Sequence, residues 1–112
     1  LLYPERAKQA VEKFSILDYP TLTFADVDRV KYPALDIAYQ CLERGGTAAC
    51  TMNGANEIAV AAFLNHKCGY NDIIKAIRYT LDNASFEPHP TLDTYDKADR
   101  ESRELAHRYL KL

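Results

Sequence analysis

The chain has 112 residues, of which 47% are hydrophobic and 27% charged, with a formal net charge of −2. This length predicts one domain that buries about two-thirds of the surface of its unfolded chain, and the composition excludes a disordered or fibrous protein. The small negative charge, spread along the chain, argues against nucleic acid or an anionic membrane as a partner.

The first 31 residues lack a sustained helical period and contain two prolines. Leu22-Thr23-Phe24 consists of residue types that suit an extended backbone. Between Arg6 and Phe14 the apolar residues have helical spacing, but a helix this short is marginally stable alone. We therefore predict an extended N-terminal arm over residues 1–31, with at most this one short helix.

The next two predicted helices follow the arm directly. Pro33 suits a first helical turn, and apolar residues then recur at helical spacing until Gly45-Gly46 ends the first helix. Thr47 is a suitable N-cap for the second helix, which should run to about Lys67. Because this second helix is apolar on most of its circumference, we predict it to be the central, most buried helix.

Two further helices complete the predicted domain. Asn71 is a suitable N-cap for a helix from Asp72 to Asn83, and Thr91 caps a long last helix after a proline-containing loop. One side of the last helix is expected to face the other helices through Leu92, Tyr95, Ala98, Ser102, Leu105, Tyr109 and Leu110. Residues 32–112 are thus predicted to be all-α, a four-helix bundle-like domain.

A stripe of three polar side chains lies on the predicted central helix. Asn53, Asn56 and Glu57 occur at i, i+3 and i+4 and therefore share one side of it. Burying an amide without partners costs about 1–3 kcal/mol, and burying a charge costs more. One carboxylate gives too few oxygen ligands for a Mg2+ or Ca2+ site, and an acid–base pair would need a second one. We interpret the polar stripe as a buried structural contact that satisfies backbone groups of the arm or of a preceding loop.

Neither the cysteines nor the histidines have the spacing of a metal site. The chain contains no Cys-x-x-Cys pair, and no histidine has a nitrogen or sulfur ligand three or four positions away. These residues are Cys41, Cys50, Cys68, His66, His89 and His107. We interpret the thiols as free and buried, and we assign no catalytic, cofactor-binding or metal-binding residue to this chain.

The sequence also lacks the motifs of a complete active site. It contains no glycine-rich dinucleotide fingerprint, no phosphate-binding loop, no Gly-x-Ser-x-Gly elbow and no His-Glu-x-x-His pair. No segment reaches the roughly 20 apolar residues of a transmembrane helix, and the start of the chain does not have a signal-peptide pattern. We expect a cytoplasmic protein without a membrane partner.

Several segments match one known family in the same order along the chain. Residues 53–64 read Asn-Gly-Ala-Asn-Glu-Ile-Ala-Val-Ala-Ala-Phe-Leu, and residues 1–6 fit the pattern Leu-x-Tyr-Pro-x-Arg. Further matching segments are Leu22-Thr23-Phe24, Tyr32-Pro33, Ala38-Tyr39, Gly45-Gly46-Thr47 and Gly69-Tyr70-Asn71-Asp72-Ile73. Together these segments resemble the C-terminal region of the 1-deoxy-D-xylulose 5-phosphate reductoisomerase family. The sequence departs from that family at Gly54, where Ala is usual, so we expect a close backbone approach or a helix bend there.

The resemblance implies a function for a longer parent protein. Such enzymes are NADPH-dependent oxidoreductases of the non-mevalonate route of isoprenoid biosynthesis that use Mg2+ or Mn2+ and form homodimers. Their cofactor-binding and catalytic residues belong to earlier domains. The resemblance therefore implies that residues 1–31 end the catalytic domain and form a linker arm, and that residues 32–112 form the C-terminal helical domain. This fragment would support the catalytic domain of the same polypeptide and be inactive alone.

Two other classes of function remain as alternatives. The first is an independent helical interaction or dimerisation module, whose polar stripe contacts a partner protein. Exposed Ile16, Leu22 and Phe24 in the arm would fit both a severed domain contact and such a module. The second is a helix-turn-helix DNA binder, which requires a positively charged recognition helix. The longest polar helix has mixed charge, with expected i,i+4 pairs from Asp96 to Arg100 and from Asp99 to Arg103, so we expect no DNA binding.

Overall fold

The computed structural model describes residues 3–5, 8 and 11–112. Within this part of the chain there are four α-helices and no β-strand, which confirms the predicted all-α class. The helices are α1 (Ala34–Arg44), α2 (Ala48–Leu64), α3 (Tyr70–Asn83) and α4 (Leu92–Leu110). The boundaries of α1 and α4 agree closely with those predicted from Pro33 and Thr91.

The described residues before α1 are mostly exposed and contain one short 3-10 helix, Ile16–Asp18. The radius of gyration is 19.0 Å, whereas a compact domain of this length has about 13 Å, because the arm extends away from the helices. Residues 11–14 are not helical, so the predicted short helix from Arg6 to Phe14 is wrong in this described part, and most of its remainder lies outside the described residues. A short helix with no surface to pack against does not offset the cost of its own nucleation.

The connection between α1 and α2 is shaped by two glycines and a threonine. Gly45 and Gly46 have φ of 68° and 54°, and a Cβ on Gly46 would lie 2.3 Å from the carbonyl oxygen of Glu87. Thr47 occupies the N-cap position of α2 as predicted, but its hydroxyl does not cap the helix. Instead Thr47 Oγ1 accepts from the Glu87 N–H at 3.1 Å, and the Thr47 N–H donates to the Glu87 carbonyl at 3.0 Å. This pair of bonds fixes the start of α2 against the loop before α4.

Helix α2 is the centre of the bundle, as predicted. It packs against α1, α3 and α4, and its Ala55 and Ala59 are completely buried. Ala76 of α3 and Ala106 of α4 are also completely buried, so small side chains let these helices approach closely. The remaining buried members of the main core are Ile37, Cys41, Ala48, Ile73 and Ile77.

Two details of the later helices differ from the prediction. Gly69, rather than Asn71, is the N-cap of α3, and its N–H donates to the Asp72 carboxylate at 2.9 Å. On α4, Leu92, Tyr95 and Tyr109 were expected to face the bundle but are 84%, 39% and 36% exposed, because Leu92 lies in the first turn and the two tyrosines lie at the edge of the packed face. The middle of the predicted face, Ala98, Ser102 and Leu105, is buried.

Candidate functional site

The polar stripe lies on the outer side of α2. Asn53 and Glu57 are exposed and Asn56 is half-buried, so the predicted burial of the stripe is wrong for Asn53 and Glu57. Asn53 Nδ2 donates to Glu57 Oε1 at 3.2 Å, and Glu57 Oε2 accepts from Arg103 of α4 at 2.7 Å. The partners are therefore on α2 and α4 and not on the arm. Burial failed because α1, α3 and α4 cover the other sides of α2 and leave this one open.

Arg103 joins two helices at this position. Its Nη2 donates to Glu57 of α2 at 2.7 Å, and its Nε donates to Asp99 of α4 at 2.8 Å. The second contact confirms the predicted i,i+4 pair, whereas Arg100 donates to the Asp96 carbonyl and not to its carboxylate. Sequence spacing gave no signal for the first contact, because the two partners are on helices far apart in the chain.

The charges in this cluster hold one another ionised. Hydrogen bonds from Arg103 and then from Asn53 lower the pKa of the Glu57 carboxyl. The carboxylates of Asp99 and Glu57 raise the pKa of the Arg103 guanidinium. A carboxylate with a lowered pKa is a poor proton acceptor at neutral pH, so the cluster is suited to joining α2 and α4 rather than to acid–base catalysis.

Gly54 lies on the side of α2 that contacts α4. A Cβ at this position would lie 2.0 Å from Ser102 Oγ and 3.2 Å from Asp99 Oδ1. Ser102 is completely buried, and its hydroxyl donates to the Asp99 carbonyl at 2.7 Å. Of the two explanations expected for Gly54, a close approach or a helix bend, the structure supports the close approach, which accounts for a glycine in the middle of a helix.

The thiols are free, as predicted, but the predicted burial holds only for Cys41, whereas Cys50 and Cys68 are half-buried. Burial raises the pKa of Cys41, and burial followed by the charge of Asp99 raises the pKa of Cys50. Cys50 Sγ lies 3.7 Å from the carbonyl oxygen of Tyr95, and Cys68 Sγ lies 3.8 Å from that of Ala59. Raised pKa values keep Cys41 and Cys50 protonated at neutral pH, which suits packing and weak hydrogen bonding.

The described residues offer neither a cluster of metal ligands nor a membrane-spanning helix. In the described part of the chain, no group of three or more His, Cys, Asp or Glu side chains is placed to hold a metal ion. We therefore assign no ligand for Mg2+ or Mn2+ among these residues. Among the same residues, none of the helices is long and apolar enough to cross a membrane.

A groove of about 750 Å3 lies between the end of the arm, α1 and α3. Its walls combine apolar side chains such as Ile37 and Leu81 with charged ones. Arg29 and Asp36 at its edge form an ion pair with each other, and the Arg44 guanidinium lies 4.0 Å from the centre of the Phe86 ring. The groove is open to solvent, and three of its five charged side chains, Arg29, Asp36 and Arg44, contact neighbouring side chains.

Comparison with known proteins gives a consistent result. The family model described as the DXP reductoisomerase C-terminal domain matches residues 1–105. The 1-deoxy-D-xylulose 5-phosphate reductoisomerase of Chlorobium phaeovibrioides is 40% identical over 110 residues, which cover 98% of this chain and 29% of the relative. The corresponding protein of Ralstonia pickettii is 37% identical over 110 residues, covering 98% of this chain and 28% of the relative.

Solved structures show the same relationship. The reductoisomerase from Zymomonas mobilis in complex with NADPH matches with a TM-score of 0.83 and 33% identity, covering 98% of this chain and 29% of that one. A DOX-P reductoisomerase in complex with NADPH, fosmidomycin and magnesium matches with a TM-score of 0.83 and 29% identity, covering 99% of this chain and 29% of that one. The chain thus spans about 29% of the length of these relatives.

Proposed function

Because this chain belongs to the DXP reductoisomerase C-terminal domain family, we propose that it is the helical support domain of an NADPH-dependent 1-deoxy-D-xylulose 5-phosphate reductoisomerase. The observation on which this rests is the family match over residues 1–105, together with the alignment of 98% of this chain with 29% of a reductoisomerase. The domain has a structural role and is inactive alone.

We propose a division of labour within the parent protein. Residues 1–31 form the end of the catalytic domain and a linker arm, and residues 32–112 form the C-terminal helical domain. The position of the first helix, at Ala34, supports this boundary. The preceding part of the same polypeptide binds NADPH and Mg2+ or Mn2+ and reduces the sugar phosphate. The helical domain holds the walls of that site in place, since catalysis tolerates only small displacements of its groups.

The arm supports this proposal through its exposed apolar side chains. Ile16 is 71% exposed, Leu22 is 67% exposed and Phe24 is 89% exposed. Such a concentration of exposed large apolar residues fits a surface that is covered in the complete protein. The same exposure fits the alternative of an independent interaction module, but the family match favours the enzyme. In the enzyme, the catalytic domain of the same polypeptide covers the arm, and the parent is a cytoplasmic homodimer.

An assay of NADPH oxidation with 1-deoxy-D-xylulose 5-phosphate tests the proposed function. The assay compares three proteins at equal concentration. They are the full-length protein, the 112-residue chain, and a shortened parent that ends just before Ala34 and so lacks the helical domain. Activity is expected in the full-length protein and not in the 112-residue chain, with a loss in the truncated form because its catalytic part lacks support. Activity in the 112-residue chain, or a full-length protein without any, would overturn the proposal.

A further inference from the structure

Helix α2 has a composition that does not suit a helix with one side in water. Only one of its 17 residues is charged, Glu57, whereas nine of the 19 residues of α4 are Asp, Glu, Lys or Arg. A helix with so few charged residues is normally covered on most of its circumference. The sequence of α2 therefore predicts more cover than the described part of the chain supplies.

The uncovered side of α2 forms a continuous strip. We call it the α2 outer face, and it consists of Ala49, Asn53, Asn56, Glu57, Val60 and Leu64. Leu64 is 69% exposed, and Asn56 and Val60 are half-buried. The opposite side of the helix, with Ala55 and Ala59, is completely buried against the other helices.

The polar groups of this face are suited to a protein surface rather than to a charged ligand. Glu57 is the only charge on the face, and Arg103 neutralises it through a bond of 2.7 Å. What remains is two side-chain amides among apolar groups. An amide offers both donors and an acceptor, as a peptide group does, so Asn53 and Asn56 complement the backbone of a packed loop or extended segment.

We propose that the α2 outer face is the surface onto which the catalytic domain of the same polypeptide docks. This inference rests on the proposed function and identifies the contact surface within it. The chain spans about 29% of the length of its relatives, so most of the parent lies outside it and is tethered to this domain. A tethered partner is present at high effective concentration, which makes an apolar, weakly charged face sufficient for a stable contact.

Carbodiimide labelling of carboxylates, read by mass spectrometry, tests the docking surface without any substitution. Glu57 is compared with Glu104, an exposed carboxylate on α4, in the 112-residue chain and in the full-length protein. We expect labelling of Glu57 to fall several-fold in the full-length protein, with Glu104 labelled equally in both. Equal labelling of Glu57 in both proteins would overturn the proposal.

A pair of matched substitutions tests the same face by thermal unfolding. Leu64→Arg introduces a charge on the α2 outer face, and Leu42→Arg introduces one at a leucine on α1 that is 74% exposed. In the 112-residue chain both variants should unfold within a few degrees of the unmodified chain, because both sites face water. In the full-length protein only Leu64→Arg should lower the unfolding temperature, by roughly 5–10 °C, since its charge would be buried without a partner.

Two results would overturn the docking proposal here. One is an equal effect of the two substitutions in the full-length protein. The other is a self-associated 112-residue chain that Leu64→Arg converts to a monomer in analytical ultracentrifugation, which would assign the face to a second copy. The NADPH assay tests the proposed function separately. If the full-length protein is active but its Glu57 is labelled as readily as in the 112-residue chain, the docking surface is wrong and the proposed function stands.

Discussion

The helical bundle and the arm both contain large apolar residues, but only the bundle buries them. Ile77 in α3 is 4% exposed, whereas Ile16 in the arm is 71% exposed. In α1, α3 and α4 apolar residues recur at the helical period, so each of these helices presents a face that α2 and its neighbours bury. The arm has no such period, and its large apolar residues such as Ile16, Leu22 and Phe24 are exposed. Burial thus follows from pattern, whereas composition alone predicts only that some surface needs to be covered.

The largest expected effect comes from truncating the same residue type in the two regions. Ile77→Ala should lower the free energy of unfolding by about 2–5 kcal/mol, because it leaves a cavity in the core. Ile16→Ala should change it by less than about 0.5 kcal/mol in the 112-residue chain, where the side chain already contacts water. Chemical denaturation followed by circular dichroism measures both values.

Similar effects of the two substitutions in the 112-residue chain would contradict the different burial of Ile77 and Ile16. In the full-length protein the difference should narrow, since the proposed catalytic domain covers the arm. An Ile16→Ala variant that is silent in both proteins would remove Ile16 from the proposed contact.

A second prediction concerns the tightest contact inside the bundle. Gly54→Ala should destabilise the chain by about 1–2 kcal/mol, although alanine is the better helix former, because the new methyl group displaces the buried Ser102 hydroxyl. Moving the Ser102 hydroxyl also breaks its hydrogen bond to the Asp99 carbonyl. Thermal denaturation of the purified variant measures the change.

The control is a double-mutant cycle with Ser102→Ala. Removing the hydroxyl should make room for the methyl group, so the double variant is expected to be more stable than Gly54→Ala alone. Additive effects of the two substitutions would mean that the contact between α2 and α4 does not determine the choice of glycine.

Features set by a few neighbouring residues could be predicted from the sequence. Pro33 and Thr91 fixed the starts of α1 and α4 because N-terminal helix signals act within one turn. The polar stripe could be placed on one side of α2, but its exposure could not be predicted, since it depends on which helices pack around α2. The bond from Arg103 to Glu57 was missed for the same reason, because it requires the packing of α2 against α4 to be known first.

A third prediction uses a polar group inside the buried region. Thr80 is completely buried, and its hydroxyl has no hydrogen-bond partner among the residues that the structure describes. Thr80→Val keeps the shape and the branched Cβ but removes the unsatisfied group, so it should raise the free energy of unfolding by about 0.5–1 kcal/mol. Urea denaturation against the unmodified chain measures it. Destabilisation would show that the Thr80 hydroxyl has a hydrogen-bond partner such as a bound water.

The smallest expected effect lies at the edge of the bundle, where α2 meets solvent. The hydrogen bonds from Arg103 and Asn53 lower the pKa of Glu57 below its ordinary value of 4.5. Because the folded-state pKa is the lower one, the carboxylate contributes stability above about pH 4.5, and this contribution is lost as the pH falls through the folded-state pKa. On acidification the unmodified chain should therefore lose slightly more thermal stability than Glu57→Gln, with Glu104→Gln as the matched control. Salt should reduce the difference, since the pair is largely exposed. If Glu57→Gln and the unmodified chain lose stability in parallel between about pH 5 and about pH 3, the contact from Arg103 does not stabilise the bundle, and the polar stripe serves only the surface that covers it.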